Sequence, residues 1–525
     1  MLARVETVAL TGITARRVEV EVDLGPGLPG LNLVGLPDGA VREARDRVRS
    51  ALHNSGFRLP ARRIIINLAP ADLPKEGGAY DLPMAVGLLT AAGRLPQAAL
   101  ERRLFLGELS LDGRLKPVPG CLPAALFLRE QGLEELVVPP ENAPEGALVP
   151  GLRVIAPPTL LALVRHLLGE ERLDPAPPTR WERWLGAREE SGPDMAAVKG
   201  QEYARRALEV AAAGGHNLVM SGPPGSGKTL LARCMPGILP PLTLDEALEV
   251  TAVYSVAGHL SRSRPLIGCR PFRSPHHTAS QVALVGGGGR PLPGEVSLSH
   301  HGVLFLDELT EFTRPTLEVL RQPLEAREVT ISRAQRSARF PAAFQLLAAF
   351  NPCPCGHLGD PHHDCHCSRV QVERYRSRLS GPLLDRIDLH VAVTAVPFEE
   401  LTALEPGEAS AAVAARVSRA REVQQRRNGP RLLNCALDGP TLERLVPLGD
   451  QSLALLRGAS QRLGFSARAF HRILRVARTI ADLEESERVH PPHLAEAIQY
   501  RLEGGIESGP SLHLLPMKAA SRLPR

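Results

Sequence analysis

The eight residues Gly222, Pro223, Pro224, Gly225, Ser226, Gly227, Lys228 and Thr229 constrain the fold more than any other stretch of this chain. They fit G-x-x-x-x-G-K-[ST], a loop between a strand and a helix whose backbone N–H groups wrap a nucleotide's phosphates. The flanks supply that context. His216-Asn-Leu-Val-Met-Ser221 reads as the strand entering the loop, and Leu230-Leu-Ala-Arg-Cys-Met235 as the helix whose N-terminus faces the phosphates. Glycines let the backbone turn tightly and approach phosphate oxygens where a Cβ would intrude. Lys228 sets a compact charge on the β/γ-phosphates, and the Thr229 hydroxyl is available to Mg²⁺. Further on, Val303-Leu-Phe-Leu-Asp-Glu308 is an apolar run ending in two carboxylates, the pattern of a buried parallel strand. Asp307 is expected to hold magnesium through water, and Glu308 to orient and deprotonate the attacking water. The two motifs, in this order and spacing, imply ATP hydrolysis.

Composition sharpens the case for Lys228. Of 62 lysines plus arginines only five are lysines, at 75, 116, 199, 228 and 518. A chain that writes arginine almost everywhere keeps a lysine here because a planar guanidinium does not replace an ammonium inside a phosphate cradle. A length of 525 residues allows about three domains, each able to bury a core. The net charge of +5 excludes a polycation, so nucleic-acid binding would come from local patches. No apolar run is long enough for a bilayer, and the N-terminus has no signal-peptide pattern. Eight cysteines in so long a chain make no disulfide scaffold. These features give the expectation of a cytoplasmic protein with no membrane partner.

Along the chain, residues 1–170 alternate short strands with helices. Val18–Asp23 alternates with period two, Gly39–Asn54 is a charged helix and Arg63–Asn67 a buried strand. A Pro- and charge-rich linker spans 171–194, a nucleotide domain 195–396 and a helical region 397–506. Within the last, Pro440–Leu445 and a long Ser460–Glu484 pattern are helical. Residues 507–525 read as a tail.

Three polar positions sit where an oligomeric ATPase needs them. Leu346–Asn351 is an apolar strand ending in an amide, Ser380–His390 (SGPLLDRIDLH) presents Arg386 between acids, and Ser466–Arg472 (SARAFHR) opens an amphipathic helix. With these motifs the chain resembles the YifB/ComM family of magnesium-chelatase-like AAA+ ATPases over nearly its whole length. The resemblance implies an α/β fold class: a Lon-protease-like α+β domain, an AAA+ P-loop α/β core with a helix-2 insert and pre-sensor hairpin, and a C-terminal helical lid. It makes Asn351 the water-positioning sensor amide, Arg386 an arginine finger reaching a neighbouring subunit, and Arg468 the second sensor on the γ-phosphate. A finger acting in trans implies a homo-hexameric ring.

Residues 251–300 form a long insertion that includes Arg270–His277 and Gly286–Gly289, and Arg327–Arg339 reads as a hairpin with arginines at or near its tip. In related helicases such elements grip DNA phosphates in a central pore, which makes Arg333, Arg336 and Arg339 candidate DNA contacts. A merely solvated basic hairpin is the other reading. His276 and His277 receive no specific chemistry from the sequence. Cys353, Cys355, Cys365 and Cys367, with histidines between, suggest a structural Zn²⁺ in a tetrahedral Cys₄ site, against the alternative of free thiols.

Residues 64–155 resemble a Lon protease domain. Ala79 stands at the apparent place of the family's serine nucleophile, and the helix at Gly120–Ala125 has no lysine, so neither the attacking oxygen nor its base is present. The leading expectation is an ATP-dependent motor on single-stranded and branched DNA. It would promote branch migration during recombination of transforming DNA. The alternative is a chelatase-like ATPase remodelling a protein partner.

Overall fold

The computed structural model describes residues 2–186, 192–289, 291–333, 336–360, 363–395, 406–463 and 466–502. The chain forms two compact units, one built from 1–197, 232–347 and 407–418, the other from 198–231, 348–406 and 419–525. The tail expected at 507–525, with Lys518, lies outside the described residues.

The first unit begins with valine alternation. Strands Leu2–Thr11 and Thr14–Gly25 pair antiparallel in a hairpin, Val5 opposite Val20. Val18, Val20 and Val22 turn one face fully inward, as period-two patterning requires. Strand Arg63–Ala69 adds antiparallel to the second, and Gly30–Val34 runs parallel beside it. Helix Gly39–Asn54 starts where Asp38 accepts the Val41 N–H at 2.7 Å and buries Val41, Ala44, Val48, Ala51 and Leu52, one stripe at helical spacing. Helix Asp81–Ala91 is buried on every side, consistent with its apolar sequence. Its one acid, Asp81, is raised to about 6 by burial, against the opposing pull of the Arg47 guanidinium bonded to it at 2.9 Å. A three-stranded parallel sheet, 103–105, 135–137 and 153–155, completes this part. The proline-rich connector docks on it: Ala176 N–H donates to the Val154 carbonyl, and Trp181 and Trp184 pack against the core.

The same unit holds strand Val303–Leu306, buried at all four residues and parallel to Phe272–Arg273. Helix Leu244–Ala257 is launched by a reciprocal cap between Thr243 and Glu246. The expected arginine hairpin is present as antiparallel strands Glu328–Arg333 and Arg336–Pro341.

In the second unit, strand Leu218–Ser221 runs parallel to Leu389–Ala392. Strand Gln345–Phe350, which crosses from one unit to the other, ends here with the Phe350 carbonyl accepting the Gly222 N–H at 3.3 Å. The rest is helical: Gly439–Leu445, Asp450–Leu463, Ala467–Leu483 and Pro491–Leu502, with most of Ser410–Asn428. The long 460–484 pattern is therefore two helices. The second restarts at Ser466, whose Oγ accepts the Ala469 N–H at 3.2 Å. Buried Asp482 joins this region by accepting from Arg427 at 2.6 Å and Asn434 at 2.7 Å. Among the described residues no helix is long and apolar enough to cross a membrane.

Candidate nucleotide, metal and nucleic-acid sites

The loop 222–229 follows strand Leu218–Ser221 directly and runs into helix Lys228–Ile238. A Cβ on Gly222 would lie 2.1 Å from the Val393 carbonyl oxygen, so only glycine lets the loop pass under the neighbouring strand. Gly225 and Gly227 take φ of 75° and 88°, a conformation that turns successive N–H groups towards one cradle. Lys228 is only 8% exposed. Its ammonium donates to the carbonyls of Gly222 at 2.7 Å and Pro223 at 2.8 Å, and to Ser226 Oγ and Asn351 Oδ1, each at 3.3 Å. An ammonium and a side-chain amide thus share one glycine-walled cradle, a donor set that fits a nucleotide's phosphates. Thr229 follows Lys228 on the first turn of the helix.

Asp307 and Glu308 emerge from the buried strand Val303–Leu306 of the first unit. Glu308 has φ 51°, a left-handed backbone rare for a residue with a side chain, and its carboxylate is 56% exposed. Its N–H donates to Asp307 Oδ1 at 2.9 Å, and its Oε2 lies 3.0 Å from His277 Nδ1. This histidine contact was absent from the sequence reading. Thirty residues of intervening chain give it no spacing signature.

Arg386 is buried at 8% exposure, its Nη1 donating to the Pro382 carbonyl at 2.5 Å inside its own unit. Arg468 lies exposed in the first turn of helix Ala467–Leu483. Two neighbours in the same motifs make a contact that sequence reasoning missed. Arg472 Nη1 donates to Asp388 Oδ1 at 2.7 Å, and His216 Nδ1 lies 3.4 Å from the other oxygen. Burial pushes the Asp388 carboxyl up, but the nearby His216 ring and the Arg472 charge outweigh it and hold the group well below the usual carboxylate range. This pair fastens helix Ala467–Leu483 to the end of strand Leu389–Ala392. The acids flanking Arg386 and the repeated arginines after Ser466 were its visible traces.

The four cysteines converge. Sγ–Sγ separations are 3.4 Å for Cys353–Cys355 and 3.6 Å for Cys353–Cys365 and Cys355–Cys365, and all four, Cys367 included, lie within 4.8 Å of one another. A tetrahedral ion with Zn–S near 2.3 Å would set such pairs at about 3.8 Å. Leu358 N–H donates to Cys353 Sγ at 3.3 Å. The Cys355 thiol is lowered to about 6, chiefly by the His357 backbone N–H. The donor set fits zinc. The loop also touches the phosphate cradle: a Cβ on Gly356 would meet Pro224 Cδ at 2.6 Å.

Two other ligand-like clusters are internally satisfied. His300 Nδ1 accepts the Ala343 N–H at 3.0 Å, so its proton sits on Nε2 and donates to Glu249 at 3.2 Å. That tautomer is the wrong one for Nε2 to ligate a metal. His301 donates to the same oxygen at 2.9 Å. In the other cluster, His357 and His363 both turn Nδ1 to Oδ2 of nearly buried Asp360 at 3.1 Å, which satisfies that carboxylate.

Arg339 is exposed on the hairpin, while the side chains of Arg333 and Arg336 lie outside the described part of the structure. In the N-terminal region the Ala79 carbonyl accepts the Gly107 N–H at 3.1 Å, and a methyl group stands where a nucleophile would be needed. Lys75 is fully buried with its ammonium on the Pro70 carbonyl, and burial lowers its pKa.

Three family models match consecutive parts of the chain: subunit ChlI of Mg-chelatase over residues 20–142, magnesium chelatase subunit ChlI over 194–401, and the ChlI C-terminal region over 407–501. Competence protein ComM of Haemophilus influenzae is 46% identical over 501 residues, covering 95% of this chain and 97% of that protein. Protein YifB of Escherichia coli, itself uncharacterized, is 46% identical over 502 residues with the same coverage. Lon protease of Salinispora arenicola is 28% identical over 144 residues, 26% of this chain and 18% of that enzyme.

Proposed function

This chain belongs to the YifB/ComM family of magnesium-chelatase-like AAA+ proteins, and from that membership we propose that it is a cytoplasmic, ATP-driven hexameric motor on single-stranded and branched DNA. The family implies use of ATP and Mg²⁺. In the reading proposed here, loop residues Gly222–Thr229 bind the phosphates and Lys228 exchanges its carbonyl partners for β/γ-phosphate oxygens. Thr229 and Asp307 would hold the magnesium, which neutralises charge developing on the phosphates. Asn351 positions the lytic water and Glu308 takes its proton. Arg468 meets the γ-phosphate from the lid, and Arg386 serves the neighbouring protomer once it gives up the Pro382 carbonyl. The observation that carries the reading is Lys228 Nζ held 3.3 Å from Asn351 Oδ1 inside a glycine-walled cradle.

The DNA half of the reading rests on the near-full-length likeness to a competence protein and on the basic hairpin with Arg339. Branch migration during recombination of transforming DNA is the activity that joins those two. The domain limits 1–170, 171–194, 195–396, 397–506 and 507–525 belong to the same proposal. Single-stranded and forked DNA should raise ATP turnover severalfold, with a steep loss of stimulation as salt rises. Indifference to every polynucleotide would favour the chelatase-like alternative, an ATPase remodelling a protein client.

The cysteine loop is assigned a structural zinc. Protein purified without chelators should carry one zinc per protomer by mass spectrometry, and Cys353→Ser or Cys365→Ser should lose it. Metal-free wild-type protein would return the loop to free thiols.

A further inference from the structure

His277 stands in a segment that the functional reading leaves without a task, yet its ring reaches the carboxylate assigned as general base. Its Nδ1 lies 3.0 Å from Glu308 Oε2, close enough for an ion pair with a protonated ring. Several contacts hold the ring in place. The His276 ring lies beside it, tilted, at a centroid distance of 4.1 Å, and Phe312, itself 2% exposed, meets it edge-on at 6.4 Å. The segment carrying it is braced at both ends. Arg273 forms a two-pronged pair with Glu295 at 2.6 and 2.7 Å, and His276 Nδ1 bonds Thr278 Oγ1 at 2.9 Å. Glu308, by contrast, lies two residues beyond its strand with a left-handed backbone and a largely exposed side chain, and among the described residues little else fixes its carboxylate.

We propose that His277 is a positioning residue for ATP hydrolysis: it donates Nδ1–H to one oxygen of Glu308 and leaves the other aimed for the lytic water. The proposal rests on the reading of Glu308 as the base. One oxygen tied down removes rotamer freedom that the carboxylate would otherwise lose at the moment of reaction. The proton passes from water to the second oxygen while the water oxygen bonds the γ-phosphorus and the bond to the β-phosphate bridging oxygen breaks.

The test is steady-state ATPase on the full-length protein, with fluorescent-nucleotide binding measured alongside. His277→Ala should lower kcat roughly 10- to 100-fold while nucleotide affinity stays within about twofold. His277→Asn, whose amide nitrogen falls near the Nδ1 position, should restore kcat to within about threefold of wild type. His277→Gln, which places its amide nearer Nε2, should not restore it. A His277→Ala rate at or above wild type overturns the inference. So does a His277→Asn variant as slow as His277→Ala, because the ring would then serve packing alone. Glu308→Gln separates the two claims. Full turnover by that variant removes the base reading itself, whereas an inactive Glu308→Gln beside a normal His277→Ala removes only the role of His277.

Discussion

Lys228→Ala is expected to abolish detectable ATP binding under conditions that saturate the wild-type protein. Four acceptors surround the single nitrogen of this buried side chain, the Gly222 and Pro223 carbonyls, Ser226 Oγ and Asn351 Oδ1, which makes it a point charge aimed into the loop. Hydrogen bonds to charged partners contribute about 1.5–3 kcal/mol each. Losing two to phosphate oxygens corresponds to at least ~100-fold weaker binding. Isothermal titration with a slowly hydrolysed ATP analogue reads this directly. Lys228→Arg is expected to fail as well, because a planar fork does not fit where an ammonium reaches four acceptors from one atom. Binding within a few-fold of wild type by the alanine variant would detach the loop from the nucleotide.

Glu308→Gln should separate binding from chemistry. The amide keeps the size and hydrogen-bonding reach of the carboxylate but accepts no proton, so ATP affinity should be retained while turnover falls by about 10²- to 10⁴-fold. Single-turnover quench measurements, run beside nucleotide titration, distinguish this from a folding defect. The exposed position of the side chain argues that the substitution leaves stability near wild type. Normal hydrolysis by this variant would mean that another group takes the proton.

The parts of the molecule legible in the sequence are those whose physics is local. Helix Gly39–Asn54 was bounded correctly because its cap, Asp38, and its apolar stripe both lie within one short window. The phosphate loop, the strand before Asp307 and the strand ending at Phe350 were legible for the same reason, since an apolar run and its polar terminus are contiguous. The cysteine cluster was visible because its two pairs sit in one loop. What escaped were contacts made by tertiary approach. His277 meets Glu308, and Arg472 meets Asp388 across 84 residues, with no periodicity to announce either. The restart at Ser466 was legible as the opening of an amphipathic helix, because its cap is local: Ser466 Oγ accepts the Ala469 N–H.

Arg386 illustrates how a motif and its geometry inform each other. The sequence pattern suggests a residue that acts on a neighbour, whereas the protomer holds it on the Pro382 carbonyl at 8% exposure. Under the proposed reading, a neighbour's γ-phosphate would take over the Nη1 bond that the Pro382 carbonyl accepts.

The central claim, that ATP hydrolysis drives movement of branched DNA, is tested most directly by following strand exchange on a labelled synthetic four-way junction. Wild-type protein with ATP and magnesium should convert the junction to duplex products, and Glu308→Gln under the same conditions should leave it bound and unconverted. Conversion by wild type no faster with ATP than without it would contradict the account.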